Sequence, residues 1–406
     1  MKKLFFLICV ALLPAQLCFA AGNTTTSTTS VDPSTTTTTI VWVPYLIIGS
    51  GRGTGTGYLY EPMDVDVDNG SVFVVEAYGR VQKFDLAGGF IESYGSPGED
   101  SEGKFDEPAG VACRVTDENN SFIYVTDTKN YRVQIYWRHV NETETSANWT
   151  YFGEKLYDEY YPQSHIYFDQ AAGLDADSEG VLYVANTDMD RISMFALPSN
   201  YSKVPRPKNR TEFDGSYSPD GPLKAPQGVA VYNGTVYVAD TGNNMIRLFQ
   251  KNGSQIISFG KQGSGQGEFI LPRSLAVDEA GNIFVADTGN NRVSVYDSQG
   301  MYVTGFGGIN CSTSINSRPL EAPGQFCSPG GLDVKNGSLY VADTGNNRIQ
   351  VYNVTLLPEP TCIQRGDIPP CGQVVLQEVV DHINKWMIGD ARLSDVIALI
   401  NMWASG

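Results

Sequence analysis

The feature that most constrains this chain is a pair of phrases that occurs six times along it. The first phrase begins at Pro62, Pro108, Ala171, Pro226, Pro272 and Pro329, and its fourth position is always Val or Leu. Twelve to seventeen residues after its third position comes an acidic or amide position, filled by Glu76, Asp127, Asn186, Asp240, Asp287 and Asp343. Three of these run on as Asp-Thr-Gly-Asn-Asn, from Asp240, Asp287 and Asp343. Self-similarity of this kind marks one supersecondary unit per copy, unable to bury its faces alone and obliged to stack on its neighbours.

Each unit resolves into four short alternating strands, in the fifth copy residues 274–277, 283–286, 292–296 and 302–306. Asn-Gly pairs at Asn69, Asn233 and Asn336 are two-residue hairpin signals, since both central positions of such turns need positive φ. A four-stranded antiparallel unit with two apolar faces packs on both sides, either in a line or around an axis. The chain's ends decide between them. A fourth strand ends in an apolar residue and Gly, then a Gly-rich loop leads to Gly-x-Phe, most clearly over residues 259–269. The last copy stops at residues 351–353 without that strand, and the missing piece stands before the first copy as Ile48 and Gly49, with Leu59 ahead of Pro62. Six outer strands serve six units only if the N-terminal strand completes the last one, and closure removes exposed sheet edges. The expected fold is all-β: a six-bladed β-propeller closed by an N-terminal strand, with a small C-terminal α-helical hairpin added.

The period and these phrases closely resemble NHL-repeat propellers over residues 41–357, most strongly in repeats four to six. Repeats one and three depart from the pattern at Glu76 and Asn186, and repeat two carries a longer excursion between Arg138 and Phe168.

The ends of the chain differ from the repeat. Residues 1–20 have the layout of a cleavable signal peptide: Lys2 and Lys3, an apolar run from Leu4 to Leu13, and Ala20 before Ala21. Export, to an extracellular or cell-surface location, is therefore expected. Residues 21–40 are almost wholly Thr and Ser and should form an extended spacer. No further stretch approaches the roughly 20 apolar residues needed to span a bilayer, so no integral membrane span is expected. Twelve Asn-x-Ser/Thr sequons, many at expected turns, are compatible with a glycosylated exterior.

Residues 358–406 change to helical periodicity. Two segments, 376–386 and 393–403, are a duplication offset by 17 residues. Val379, Ile383 and Trp386 share one helical face and Val396, Ile400 and Trp403 another, giving an apolar stripe that is either hairpin core or a docking face for a partner. This module resembles dockerin-like domains of exported prokaryotic proteins. Asp367, Gly372, Val374 and Glu378 fall at positions one, six, eight and twelve of a calcium-loop template, but positions three and five hold Pro369 and Cys371.

Five cysteines follow the leader. Cys311 with Cys327 and Cys362 with Cys371 are the expected disulfides of an oxidising compartment, and Cys113, in an apolar strand pattern, reads as a buried free thiol. A formal net charge of −17 disfavours nucleic acid and anionic membrane surfaces, which require Lys and Arg.

The Asp-Thr-Gly-Asn-Asn-Arg phrase recurs with the blades, so its residues are read as blade turns. Asp127, Asp240, Asp287 and Asp343 are expected to accept turn N–H groups, Gly and Asn to take positive φ, and Arg132, Arg292 and Arg348 to brace neighbours. Propellers that resemble this one include metal-dependent lyases and hydrolases with His, Asp or Glu around a channel ion. Only His139, His165 and His382 exist here, none on an inner strand, which excludes a His-ligated zinc centre. An all-oxygen calcium site remains open, with Asp64, Asp66, Asp175, Asp278 and Asp333 on or near inner strands. No cofactor is otherwise expected, and no nucleophile elbow, zinc-binding helix or phosphate loop occurs. The expected function is non-enzymatic: a secreted binding or scaffold protein whose propeller face takes a protein or glycan ligand while the C-terminal module docks. The alternatives are a secreted hydrolase or lyase acting on polysaccharide and a structural subunit of an extracellular assembly.

Overall fold

A computed structural model describes residues 25–29, 36–40, 42–99, 101–117, 120–140, 145–153, 166–197, 210–308, 311 and 322–355. The leader and the whole C-terminal module, with its docking face and Cys362 and Cys371, lie outside these residues.

Six four-stranded antiparallel sheets follow one another along the chain. Blade 1 comprises Pro62–Asp68, Ser71–Glu76, Arg80–Asp85 and Phe90–Tyr94. The inner strands of blades 2 to 6 are Val111–Asp117, Ala171–Ala176, Gly228–Tyr232, Pro272–Val277 and Pro329–Lys335. Blade 6 takes its outermost strand, Leu46–Ile48, from the N-terminus, with Ile48 opposite Ile349 and Leu46 opposite Val351. Ahead of it Trp42 stacks on Phe306 of blade 5, ring centroids 4.4 Å apart. The Thr-rich segment is not simply an extended spacer: Thr25–Thr29 and Thr36–Ile40 pair as an antiparallel ribbon.

The core is divided among the seams. Six buried apolar clusters each join residues of two neighbouring blades, and blade 1 meets blade 6 through Val65, Val74, Ile48 and Ile349. This is the face-to-face stacking that two-sided apolar sheets require.

The glycine of the inner-strand phrase has a steric reason. A Cβ on Gly110, Gly173, Gly228 or Gly330 would stand 2.5–2.7 Å from a backbone carbonyl oxygen of the next blade. At these four seams the inner strands approach closely because the position is bare, whereas blades 1 and 5 carry Asp64 and Ser274 at the third position of the phrase. At the other end of the blade, Gly260 has φ +97° and a Cβ there would lie 2.4 Å from the buried Phe269 ring, which accounts for the Phe-Gly phrase.

Candidate functional site

Strand direction alternates within a blade, so the first-to-second and third-to-fourth turns lie on one face of the ring, the hairpin face. The second-to-third turns and the blade-to-blade loops lie on the other, the loop face. The Asp-Thr-Gly-Asn-Asn turns are on the loop face.

These turns are wired differently from the expectation. Asp127, Asp240, Asp287 and Asp343 do not cap the backbone of their own turns, but each accepts the side-chain N–H of the turn's asparagine, Asn130, Asn243, Asn290 or Asn346, at 2.8–3.0 Å. Each is fully buried and accepts the backbone N–H of the loop entering its blade, from Asp106, Lys224, Ile270 and Cys327, all at 2.8 Å. Arg132, Arg292 and Arg348 each donate Nε to the same carboxylate at 2.7–2.8 Å and hold loop carbonyls with Nη2. The glycines Gly242, Gly289 and Gly345 do not take positive φ, because a loop carbonyl within 2.6–2.9 Å of the Cβ position is what demands glycine there. Positive φ belongs to the second Asn: Asn244, Asn291 and Asn347, at 53–55°.

Two latches between blades were not read from the sequence. The motif Thr hydroxyl donates to the first inner-strand residue of the next blade, Thr344 to the Pro62 carbonyl across the closure at 2.7 Å. The second Asn accepts from the residue before that strand, Glu61 N–H to Asn347 Oδ1 at 2.9 Å. Arg247 was also missed. Blade 4 has Met245 at the usual arginine position, and Arg247, two residues on and so on the same strand face, pairs with Asp240 at 3.1 Å while fully buried. Glu76 and Asn186, the divergent copies, fill the same slot: Glu76 holds Arg80 at 2.8 Å and Asn186 accepts the Asp169 N–H at 2.8 Å.

The inner strands enclose an axial channel of about 320 Å³. Four of the five sequence-identified carboxylates, Asp64, Asp66, Asp175 and Asp333, line it; Asp278 does not, and instead closes its own hairpin by accepting the N–H groups of Ala280 and Asn282. Each channel carboxylate also accepts from the neighbouring blade: Asp64 from Val111, Asp66 from Cys113, Asp175 from Val231 and Asp333 from Val67, at 2.7–3.1 Å. They therefore replace the ladder that inner strands, as sheet edges, lack.

These carboxylates line the channel half-buried and sit deep among protein atoms. Desolvation raises Asp64 and Asp175 to about 7 and Asp333 to about 6, against the backbone N–H bonds that lower them. Burial also pushes Asp66 well above the ordinary carboxylate range, with Asp333 and Asp175 adding repulsion. Arg273 is the cation beside Asp64, its own pKa lowered by burial. Cys113 is a free, half-buried cysteine that packs against the apolar cluster between blades 1 and 2 and also lines the channel; burial, with Asp66 and Asp68 beside it, raises its pKa, so it stays protonated at neutral pH. Among the described residues no group of three or more His, Cys, Asp or Glu is arranged to hold a metal ion.

A raised carboxylate pKa means that the folded state binds protons more tightly than the unfolded chain. The channel's contribution to stability is thus full below about pH 4 and is lost as pH rises through about 6 to 7. Urea midpoints of the protein and of Asp64→Asn, measured from pH 5 to 8, should show a smaller fall for the variant. Parallel curves would reject this account of Asp64.

The second feature breaks the repeat. In blade 1 the turn is one residue shorter and places Tyr78 where blades 4 to 6 carry Gly-Asn. Tyr78 packs with its ring centroid 6.2 Å from that of Tyr60, Arg52 lies 4.9 Å over the Tyr60 ring, and Tyr58, two residues before Tyr60 in the same loop, is exposed. The patch is held from below. Arg80 and Gln82 donate to the Tyr58 carbonyl at 3.0 and 2.6 Å, and the Tyr60 N–H donates to Glu76 at 2.8 Å.

Cys311 and Cys327 form the expected disulfide, Cα atoms 5.3 Å apart. Among the described residues no helix is long and apolar enough to cross a membrane.

Comparison with known proteins agrees with the architecture. A family model described as a 6-bladed beta-propeller matches residues 219–307, and one described as an NHL repeat matches residues 326–352. NHL repeat-containing protein 2 of Gallus gallus is 34% identical over 95 residues, 23% of this chain and 13% of that protein, so the chain spans only a small part of its curated relative. An auxiliary nutrient binding protein from Bacteroides thetaiotaomicron aligns at 13% identity and TM-score 0.47, covering 73% of this chain and 70% of its own. A virginiamycin B lyase from Staphylococcus aureus aligns at 14% identity and TM-score 0.43, covering 71% of this chain and 79% of its own. From its six sheets and the two family models, the chain is a six-bladed β-propeller containing NHL-repeat sequence.

Proposed function

We propose that this is an exported binding protein whose loop face takes a protein ligand through the Arg52, Tyr58, Tyr60 and Tyr78 patch, with residues 358–406 tethering it to a surface or assembly. The observation that carries the reading is the contrast between repeated and unrepeated residues. Acidic, threonine and arginine side chains that recur with the blades are taken up by the frame, whereas the tyrosine patch occurs at one blade and is rigidly supported. Tyr and Arg on a prearranged base are the residues that dominate protein-binding energy. A Tyr58→Ala/Tyr78→Ala double variant should fold normally and lose about 10- to 100-fold in affinity for extracellular ligands identified on a protein array. Unchanged affinity sinks the patch, and binding confined to a glycan array makes the ligand a sugar. Unchanged cell-surface retention after deleting residues 358–406 removes the tethering role.

The channel favours a second reading, a polysaccharide hydrolase or lyase, because carboxylates with pKa near 7 suit general acid–base work. Polysaccharide cleavage abolished by Asp64→Asn and Asp175→Asn would promote it.

A further inference from the structure

Among the described residues, six asparagines stand in Asn-x-Ser/Thr sequons: Asn69, Asn148, Asn233, Asn252, Asn336 and Asn353. Their placement on the ring is one-sided. Asn69, Asn233 and Asn336 occupy the first-to-second turns of blades 1, 4 and 6 at φ 42–50°, and Asn252 occupies the third-to-fourth turn of blade 4. Those four are exposed on the hairpin face. Asn353 ends a strand at that face but is half-buried, its Oδ1 accepting from Thr355. Asn148 is on the outermost strand of blade 2, at the ring's wall.

No described sequon lies on the loop face, and this does not reflect a lack of asparagine there. Its turns hold Asn130, Asn243, Asn244, Asn290, Asn291, Asn346 and Asn347, in every case with a residue other than Ser or Thr two positions on. Those side chains are already used as latches, as with Asn243 to Asp240 at 2.9 Å and Asn347 to Glu61. The described blade-to-blade loops, residues 49–61, 95–99, 101–110, 214–227, 260–271 and 322–328, contain no asparagine at all, although they are Gly-, Ser- and Pro-rich.

We propose that the hairpin face is N-glycosylated at Asn69, Asn233, Asn252 and Asn336, and that the described part of the loop face is kept bare of sugar for the ligand. In each case the exposed Nδ2 attacks the anomeric carbon of a lipid diphosphate-linked oligosaccharide. The C–N bond forms, the C–O bond to phosphate breaks, the lipid diphosphate leaves with that electron pair, and one proton leaves the amide nitrogen. Tight Asn-Gly turns raise the asparagine clear of the sheet, and a glycan there meets solvent in place of a neighbouring blade. The inference rests on the export reading, because the donor and its transferase belong to the export route.

Peptide mass mapping of the full chain purified from its native source tests it. The four asparagines should carry the same glycan mass, and Asn310, in the sequence between blades 5 and 6, should be unmodified. Ser71→Ala, Thr235→Ala, Ser254→Ala and Ser338→Ala keep each Asn-Gly turn intact while destroying its sequon, and each should remove one mass step from the intact protein. If the four asparagines are bare on a chain whose N-terminal peptide begins at Ala21, the glycan proposal is overturned and export stands. Bare asparagines on a chain that retains residues 1–20 overturn both. Glycan on Asn310, whose sequon stands in the sequence between blades 5 and 6, overturns the division between the faces.

Discussion

Removing residues 21–48 should convert the ring into an unstable, associating species. The deletion strips blade 6 of its outermost strand, and its third strand, Arg348–Asn353, becomes an open edge with unpaired N–H and C=O groups. It also empties two seams. Ile48 is wholly buried in the cluster between blades 1 and 6, and Trp42 is 8% exposed against Phe306 in the cluster between blades 5 and 6. Truncating a buried Ile to Ala costs about 2–5 kcal/mol and a buried Trp about 3–5 kcal/mol. Together these approach the whole stability of an ordinary domain, about 5–15 kcal/mol. Size-exclusion chromatography should show oligomers, and the thermal transition should fall by about 10 °C or more or disappear. Ile48→Ala alone should lower the unfolding free energy by about 2–5 kcal/mol while leaving a monomer. A monomeric deletion variant with an unchanged melting transition would mean that the closure does not stabilise the ring.

Much of this arrangement is legible in the sequence because it is local and repeated. The blade count, four strands per blade and the N-terminal origin of the last strand all follow from counting copies of a phrase. The Cys311–Cys327 bridge was legible for a similar reason, since its partners are sixteen residues apart in a chain with few cysteines. What sequence could not supply is the sharing of contacts between blades. Thr344 and Pro62 are separated by most of the chain, and only the closed ring brings them to 2.7 Å. The aspartates show the same limit. Asp64 and Asp278 both lie at or near inner strands, but one faces the axis and the other folds back on its own hairpin. Arg247 was findable, because a strand's period of two puts positions 245 and 247 on one side, and the unusual Met245 was the signal. The tyrosine patch was legible only in outline: the shortened turn marks blade 1 as different, and the packing of Tyr78 on Tyr60 needs the fold.

Asp343→Ala should be the most damaging single substitution in the blade frame, at about 3–5 kcal/mol. Its carboxylate accepts from Cys327 N–H at 2.8 Å, Asn346 at 2.9 Å, Arg348 at 2.8 Å and Gln350 at 2.9 Å, all within a buried pocket. Burial pushes its pKa up while the Cys327 N–H and Arg348 pull it down, so the site holds an anion only through these donors. Removing it leaves the Arg348 guanidinium, 4% exposed, with the carbonyls of Ala322 and Gln325 but no counter-charge. A buried charge stripped of its partner is worth several times a surface ion pair, which is commonly below about 1 kcal/mol. The damage should also spread to the closure, since Thr344 and Asn347, which latch blade 6 to blade 1, are placed by the same turn. Arg348→Met in the Asp343→Ala background removes the stranded charge, so the double variant should be no less stable than Asp343→Ala alone. Urea unfolding of the two single variants and the double then gives a coupling of about 1–3 kcal/mol. Additive losses would show that the pair acts as two independent contacts, and a loss under about 1 kcal/mol for Asp343→Ala would show that the turn is held by its backbone alone.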